Sequence, residues 1–287
     1  MDPTGLSPEK QDALLRLLDD DSPVVRSALL EEFGRLDRHG VTLLEAVATG
    51  HNRVAAMHAR SLLQQLGRED TVAAFRQFIH SFHYELETGC LMLARTRHPD
   101  CDPGNVCAFL DKMGRRCREL MVLPASITEK LRTINRVLFH EFGFRGDIED
   151  FYNPENSFIH RVIDRRKGIP ITLAVIYLVV AQRCQISLEP VSVPGRFMLA
   201  HFDGPVPLYI DCFEGGLVRT AEEVAEGWLP AGQQHEPGIL SPCPIGEVLA
   251  RCCRNLAHQY DRLGEERLSA LYASFVDDFA EAHRRHA

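Results

Sequence analysis

Apolar positions recur at three-to-four spacing through most of this chain, and the rhythm yields to short strand-like runs in one stretch near its centre. Ser7-Pro8 opens a first helix with Leu14, Leu15, Leu17 and Leu18 on one side. Ser22-Pro23 opens a second, carrying Val24, Val25, Ala28, Leu29, Leu30 and Phe33. In both, the serine is expected to cap the orphan amides, and the proline takes the first helical position, where its missing donor costs nothing. Helices over 41–48 and 54–66 continue the series. Phe75, Phe78, Ile79 and Phe82 renew the helical spacing, followed by helices over 85–94, 106–120 and 127–142, with a loop at His98-Pro99-Asp100-Cys101-Asp102-Pro103-Gly104. Gly143 and Gly146 end the last of these.

A polar turn then precedes a short helix. Within Tyr152-Asn153-Pro154-Glu155-Asn156-Ser157, Asn156 or Ser157 is expected to cap the helix running through Val162, and Arg165, Arg166 and Lys167 close it at its negative end. Gly168-Ile169-Pro170 opens an apolar helix broken only by Thr172 and Tyr177. Three strands follow: Pro190 to Pro194, one carrying Arg196 and Phe197, and one ending at Asp211, the last two joined through Asp203-Gly204-Pro205. Gly215 and Gly216 allow a turn, Trp228 anchors the loop after the sheet, and helices resume near Ile245.

Composition narrows the class of protein. Hydrophobic residues make up 45% and charged residues 25% of 287, the profile of a globular protein with a sizeable core. The formal charge is -8 with no basic tract, which argues against nucleic acid as a partner. The apolar run from Ile169 to Ala181 is too short for a bilayer, which needs about 20 residues, and the N-terminal segment lacks the pattern of a signal peptide, so a cytoplasmic location without membrane attachment is expected. Nine cysteines contain no CxxC pair and thirteen histidines no HExxH, so neither a metal site nor a cofactor is implied.

The stretch RGDIEDFYNPENSFIHRVIDRRKGIPITLAVIYLVVAQRCQISLEPVSVPGRFMLAHF, with LYIDCFEGGLV beyond it, closely resembles the SirB-type transglutaminase-like proteins. Phe139, Gly143, Gly146, Tyr152, Pro154, Asn156, Ser157, Arg165, Arg166, Gly168, Pro170, Leu173, Pro194, Gly195, Phe197, Asp211, Phe213, Gly215 and Gly216 follow that family's pattern in order. The resemblance extends from about residue 70 to the end, where LARCCRNLAHQYDRLGEERLSAL resembles the family's helical, tetratricopeptide-like tail. LLRLLDDDSPVVRSALLEEFGRL, near the start, resembles a helical pair of the HEAT type, though a simple helical cap fits equally.

Two departures from the wider fold matter most. The resemblance implies a cysteine at the N-terminus of the helix after Gly168, where the helix dipole lowers a thiol pKa, yet Pro170 stands there, or Ile171 on an alternative alignment. It also implies a histidine where Arg196 stands, and a guanidinium cannot serve as a base. Asp211 alone remains of the triad. If the two strands form a hairpin, Arg196 and Asp211 come together, either as an ion pair replacing the old His-Asp contact or with the guanidinium offered to a carboxylate or phosphate. Cys184 reads as core, and a Cys212-His201 dyad is conceivable only on the outer face.

The resulting expectation is an α+β fold, mainly helical, with a small antiparallel sheet packed on a central helix in a papain-like core. Three regions are expected: a HEAT-like 1–68, a transglutaminase-like 69–240 and C-terminal helices 241–287. The leading functional reading is a binding or scaffolding module that has lost its chemistry and meets protein partners through its helical ends. Alternatives are a peptide- or amide-processing enzyme with a rearranged site, and a regulator binding a small anion. The candidate ligand contacts are Tyr152, Asn156, Ser157, Arg165, Arg166, Arg196 and Asp211.

Overall fold

The computed structural model describes residues 8–20, 22–50, 52–230, 238 and 240–286. They sort into two compact units, Met1–Ala74 with Arg95–Pro99, and Phe75–Ala94 with Asp100–Ala287.

In the first unit, α1 (Pro8–Leu17), α2 (Pro23–Arg35), α3 (Asp37–Ala48) and the start of α4 (Arg53–Ser81) each turn one apolar stripe inward. Leu18, Leu29, Phe33, Leu44, Ala59 and Leu62 form its core. His58 is buried there with one ring nitrogen 2.7 Å from the Leu18 carbonyl. The serine caps fare differently from expectation. Ser7 lies outside the described residues, and the Ser22 side chain makes no bond to α2; its backbone N–H instead donates to Asp20 Oδ1 at 2.7 Å. The apolar patterns over 54–66 and 72–81 belong to the single helix α4, which runs on through Gly67 because no proline interrupts it and ends before Phe82, at φ 57°.

The second unit is built around α9 (Pro170–Arg183), whose residues from Pro170 to Ala181 are all buried. A helix apolar on every side must be surrounded, and this one is. The helices α5 (Leu86–Arg95), α6 (Pro103–Leu120) and α7 (Ile127–Asn135) precede it, α7 passing into a π-helical turn, Arg136–Glu141, that closes at the left-handed Gly143. A two-stranded parallel pair joins β1 (Arg145–Gly146) to β2 (Lys167–Gly168) and frames α8 (Ile159–Arg165).

Antiparallel strands β3 (Glu189–Val193), β4 (Arg196–His201), β5 (Leu208–Asp211) and β6 (Leu217–Arg219) form a sheet in that order, β4 packing on α9. The β3–β4 turn places Gly195 at φ 68°, a conformation glycine adopts without strain. Leu199 pairs with Ile210 and His201 with Leu208, which sets the β4–β5 hairpin in the register that brings Arg196 toward Asp211. Beyond β5, Cys212–Glu214 is a short 3-10 turn rather than strand, so Cys212 points into the core and is fully buried. Trp228 ends α10 (Ala221–Trp228) and packs against the cluster that includes Val191, Met198 and Tyr209 of the sheet. Finally α11 (Ile245–Arg262) and α12 (Glu266–His286) pack along each other, with Tyr260 stacked on Tyr272 at 5.5 Å.

The expected α+β architecture, mostly helical with a small antiparallel sheet on a central helix, is the one found. Among the described residues no helix is long and apolar enough to cross a membrane.

Candidate ligand cleft

A cleft of about 190 Å³ opens where the N-terminus of α9, the β3–β4 turn and one face of α11 converge. Ile169, Pro170 and Ile171 form one wall, Gly195, Arg196 and Phe197 a second, and Arg251, Asn255, His258 and Gln259 a third, with Phe151 and Tyr152 at the edge. Half of this lining is apolar, and none of it is acidic.

Arg196 begins β4, and the hairpin register carries Asp211 beneath it. Its Nε lies 3.3 Å from Asp211 Oδ2, a close ion pair that is not aligned as a hydrogen bond. Its Nη2 donates to Glu214, which also accepts from Arg219 at 2.7 Å. The guanidinium lies over the Phe213 and Trp228 rings, 5.1 and 5.5 Å from their centroids. Two carboxylates and two aromatic faces therefore fix this side chain from within.

Asp211 is completely buried. Its Oδ1 accepts from the amides of Phe213 and Glu214 at 3.1 and 3.3 Å, capping the 3-10 turn. Burial raises its carboxyl above the ordinary range, and the charge of Arg196 works against that rise.

Arg251 stands opposite. Its Nη2 donates to the carbonyls of Arg196, at 2.8 Å, and Val193, at 3.3 Å, and its Nη1 to Ser192 Oγ, which fastens α11 to the β3–β4 turn. Burial lowers its pKa, and it makes no ion pair among the described residues.

The remaining candidates divide by location. Tyr152, Pro170 and Arg196 line the cleft. Tyr152 sits at its mouth under Arg262, whose guanidinium lies 4.0 Å from the ring centroid. Asn156 and Ser157 do not cap α8, whose N-cap is Phe158, because their side chains are committed elsewhere. Asn156 donates to the Asp150 carbonyl at 2.7 Å and accepts from Arg165 at 2.8 Å, while Ser157 donates to Gln259 Oε1 at 2.7 Å. Arg165 reaches buried Asp147 at 3.1 Å. Arg166 takes a left-handed conformation at φ 58° and lies over the Phe109 ring at 4.3 Å. Neither arginine lines the cleft.

The outer dyad does not form. Cys212 lies beyond the far end of the β4–β5 ladder from His201, whose Nδ1 is 3.0 Å from the Ser187 carbonyl. Cys184 is half-buried at the C-cap of α9, its thiol 3.6 Å from the Gly114 carbonyl. Among the described residues no cluster of three or more His, Cys, Asp or Glu has the arrangement to hold a metal ion.

Sequence reasoning missed Arg251, Asn255, His258 and Gln259. Their spacing at i, i+4, i+7 and i+8 is itself the signal, since it places four polar groups on one face of a helix whose other face is apolar.

A profile of the transglutaminase-like superfamily matches residues 104–254, more than half of the chain. The chain belongs to that superfamily. The match covers α9, the sheet and α11 as far as Arg254, so Arg251 falls within it, while Asn255, His258 and Gln259 of the cleft wall lie beyond its end. Among curated relatives, a UPF0162 protein of Xylella fastidiosa is 34% identical over 185 residues, covering 61% of this chain and 64% of its own length. A UPF0162 protein of Vibrio cholerae is 26% identical over 203 residues, covering 68% and 74%. F-box only protein 21 of Mus musculus is 31% identical over 158 residues, which is 52% of this chain and 25% of that protein. The chain thus spans less than two thirds of the length of the Xylella and mouse relatives. No solved structure matches it significantly.

Within this frame α9 begins at Pro170 and β4 at Arg196.

Proposed function

We propose that this chain is a non-catalytic, SirB-type transglutaminase-like module that uses its cleft to bind rather than to cleave or transfer. The observation that carries this reading is the lining of the cleft, which contains no Cys, Ser, Thr, Asp, Glu or Lys, and in particular no thiol or hydroxyl at the start of α9 where this frame would activate one. Arg196, in the position of the base, is always charged and is engaged by Asp211 and Glu214. On this reading the HEAT-like and tetratricopeptide-like helices offer surfaces to protein partners in the cytoplasm.

The test is a set of turnover assays on the full chain with reporter peptide esters, peptide amides and glutamine-amine transfer substrates. Release no faster than in buffer is expected at every pH from about 5 to 9, the range over which a histidine or thiol would switch on. Turnover that disappears in His258→Gln, which removes the one imidazole of the cleft lining, would establish the rearranged-enzyme reading in its place.

A further inference from the structure

The two arginines of the cleft are not equivalent. Arg196 already has two carboxylates, whereas Arg251 has none: Ser192 Oγ and two backbone carbonyls engage it, and none of these neutralises a charge. Those bonds occupy three of the five N–H donors that a guanidinium carries, leaving two without a protein acceptor. Partly burying such a group without an ion pair is costly: no acidic side chain lines the cleft, and Glu247, the acid that acts on Arg251, is itself paired with Arg254. Beside it on α11, the side chains of Asn255 and His258 have no hydrogen-bond partner among the described residues and face the same cleft.

We infer that the cleft binds a single carboxylate joined to an apolar group, with Arg251 taking the carboxylate, Asn255 and His258 holding its polar neighbours, and the wall of Ile169, Ile171 and Phe197 covering the apolar part. This rests on the binding-module reading above. One unpaired guanidinium balances one negative charge. A phosphate dianion would exceed it, and it would gain nothing from a lining that is half apolar. A carboxylate also matches the planar fork of arginine. The shared chemistry belongs both to the C-terminal residue of a peptide and to a free branched or aromatic carboxylic acid, and a cleft of about 190 Å³ has room for a group of that size.

Calorimetric titration of the full chain tests this with four probes: acetyl-Gly-Gly-Leu with a free carboxylate, the same peptide as its C-terminal amide, 4-methylpentanoate, and inorganic phosphate. The free-acid peptide is expected to bind at least tenfold more tightly than the amide and the phosphate. The tenfold preference is expected to disappear in Arg251→Gln and to persist in Arg165→Gln, whose guanidinium lies outside the cleft. Tight binding of 4-methylpentanoate identifies a small acid as the source of the carboxylate; binding of the peptide alone identifies a chain terminus. Equal binding of acid and amide, phosphate as tight as the acid, or no binding of any probe at millimolar concentration overturns the assignment. Because the acid-amide comparison is made on the unaltered protein, a misfolded variant does not obscure it. Turnover in the assays of the preceding section overturns the binding-module reading instead, so the two failures are distinguishable.

Discussion

At the scale of single residues, the buried aspartate serves a guanidinium. Asp211 supports a charged partner permanently and also caps its own turn, so removing Arg196 strands a carboxylate that has no exposed surface. Arg196→Gln is expected to destabilise the protein by about 3 kcal/mol near neutral pH, measured by chemical denaturation. The pH dependence has a definite sign. A carboxyl raised by burial holds its proton more tightly folded than unfolded, so stability declines as pH climbs from the unfolded value toward the folded one, and the full cost persists above it. Arg196 is the main influence opposing that rise, so its loss widens the window. The deficit of Arg196→Gln should therefore be largest near pH 7 and shrink toward about pH 4, as Asp211 takes up its proton. A deficit that is flat with pH would show that Asp211 does not sense this guanidinium. The pairing of Arg196 with Asp211 is legible in the sequence because a hairpin of known turn fixes both positions. Glu214 and Trp228, which complete the cage, are not, since they depend on how the 3-10 turn and α10 fold back.

At the scale of elements, the turn after β5 is held against α7 through an exchange of backbone and side-chain groups. Asn135 donates to the Gly216 carbonyl at 2.8 Å and accepts from the Tyr177 hydroxyl at 2.9 Å, which ties α7, α9 and the sheet at one point. Gly216 has φ 78°, and a Cβ there would fall 2.1 Å from Asn135 Oδ1. Gly216→Ala is expected to cost more than about 2 kcal/mol, whereas Gly195→Ala, also left-handed but with nothing within 4 Å of its Cβ, should cost only about 1 kcal/mol. Denaturant midpoints of the two variants measure the difference, and equal losses would remove the argument for a close approach at Gly216. Helix identity was readable along most of the chain because apolar spacing and proline starts are local. The caps were less so. Whether Ser22, Asn156 or Ser157 turns its side chain to a helix amide is decided by distant competitors such as Gln259, which no local pattern contains.

At the scale of the whole molecule, the unit that carries the cleft is wider than the superfamily match. Residues 104–254 omit α5 and α12, yet Leu249 of α11 packs so closely on Gly89 of α5 that an added Cβ would lie 2.6 Å away. Phe75 meets Phe275 edge-on at 5.0 Å, and Arg76 pairs with Asp278 at 3.0 Å. A fragment of residues 75–287 is expected to unfold cooperatively, and one of residues 104–254 to lack a cooperative transition and near-ultraviolet dichroism. A cooperative melt from the shorter fragment would show that α5 and α12 are accessories. The helical ends were visible in the sequence as helices, but their service to the core was not, because contacts between residues so far apart leave no trace in local spacing. The same geometry divides α11 into two independent halves. Leu249, Cys252, Cys253 and Leu256 face the interior, while Arg251, Asn255 and His258 line the cleft, where on the proposal above they meet a ligand. Selectivity can therefore drift along one side of a single helix while the other side holds the fold constant, and two proteins with this frame can choose different ligands without any change in architecture.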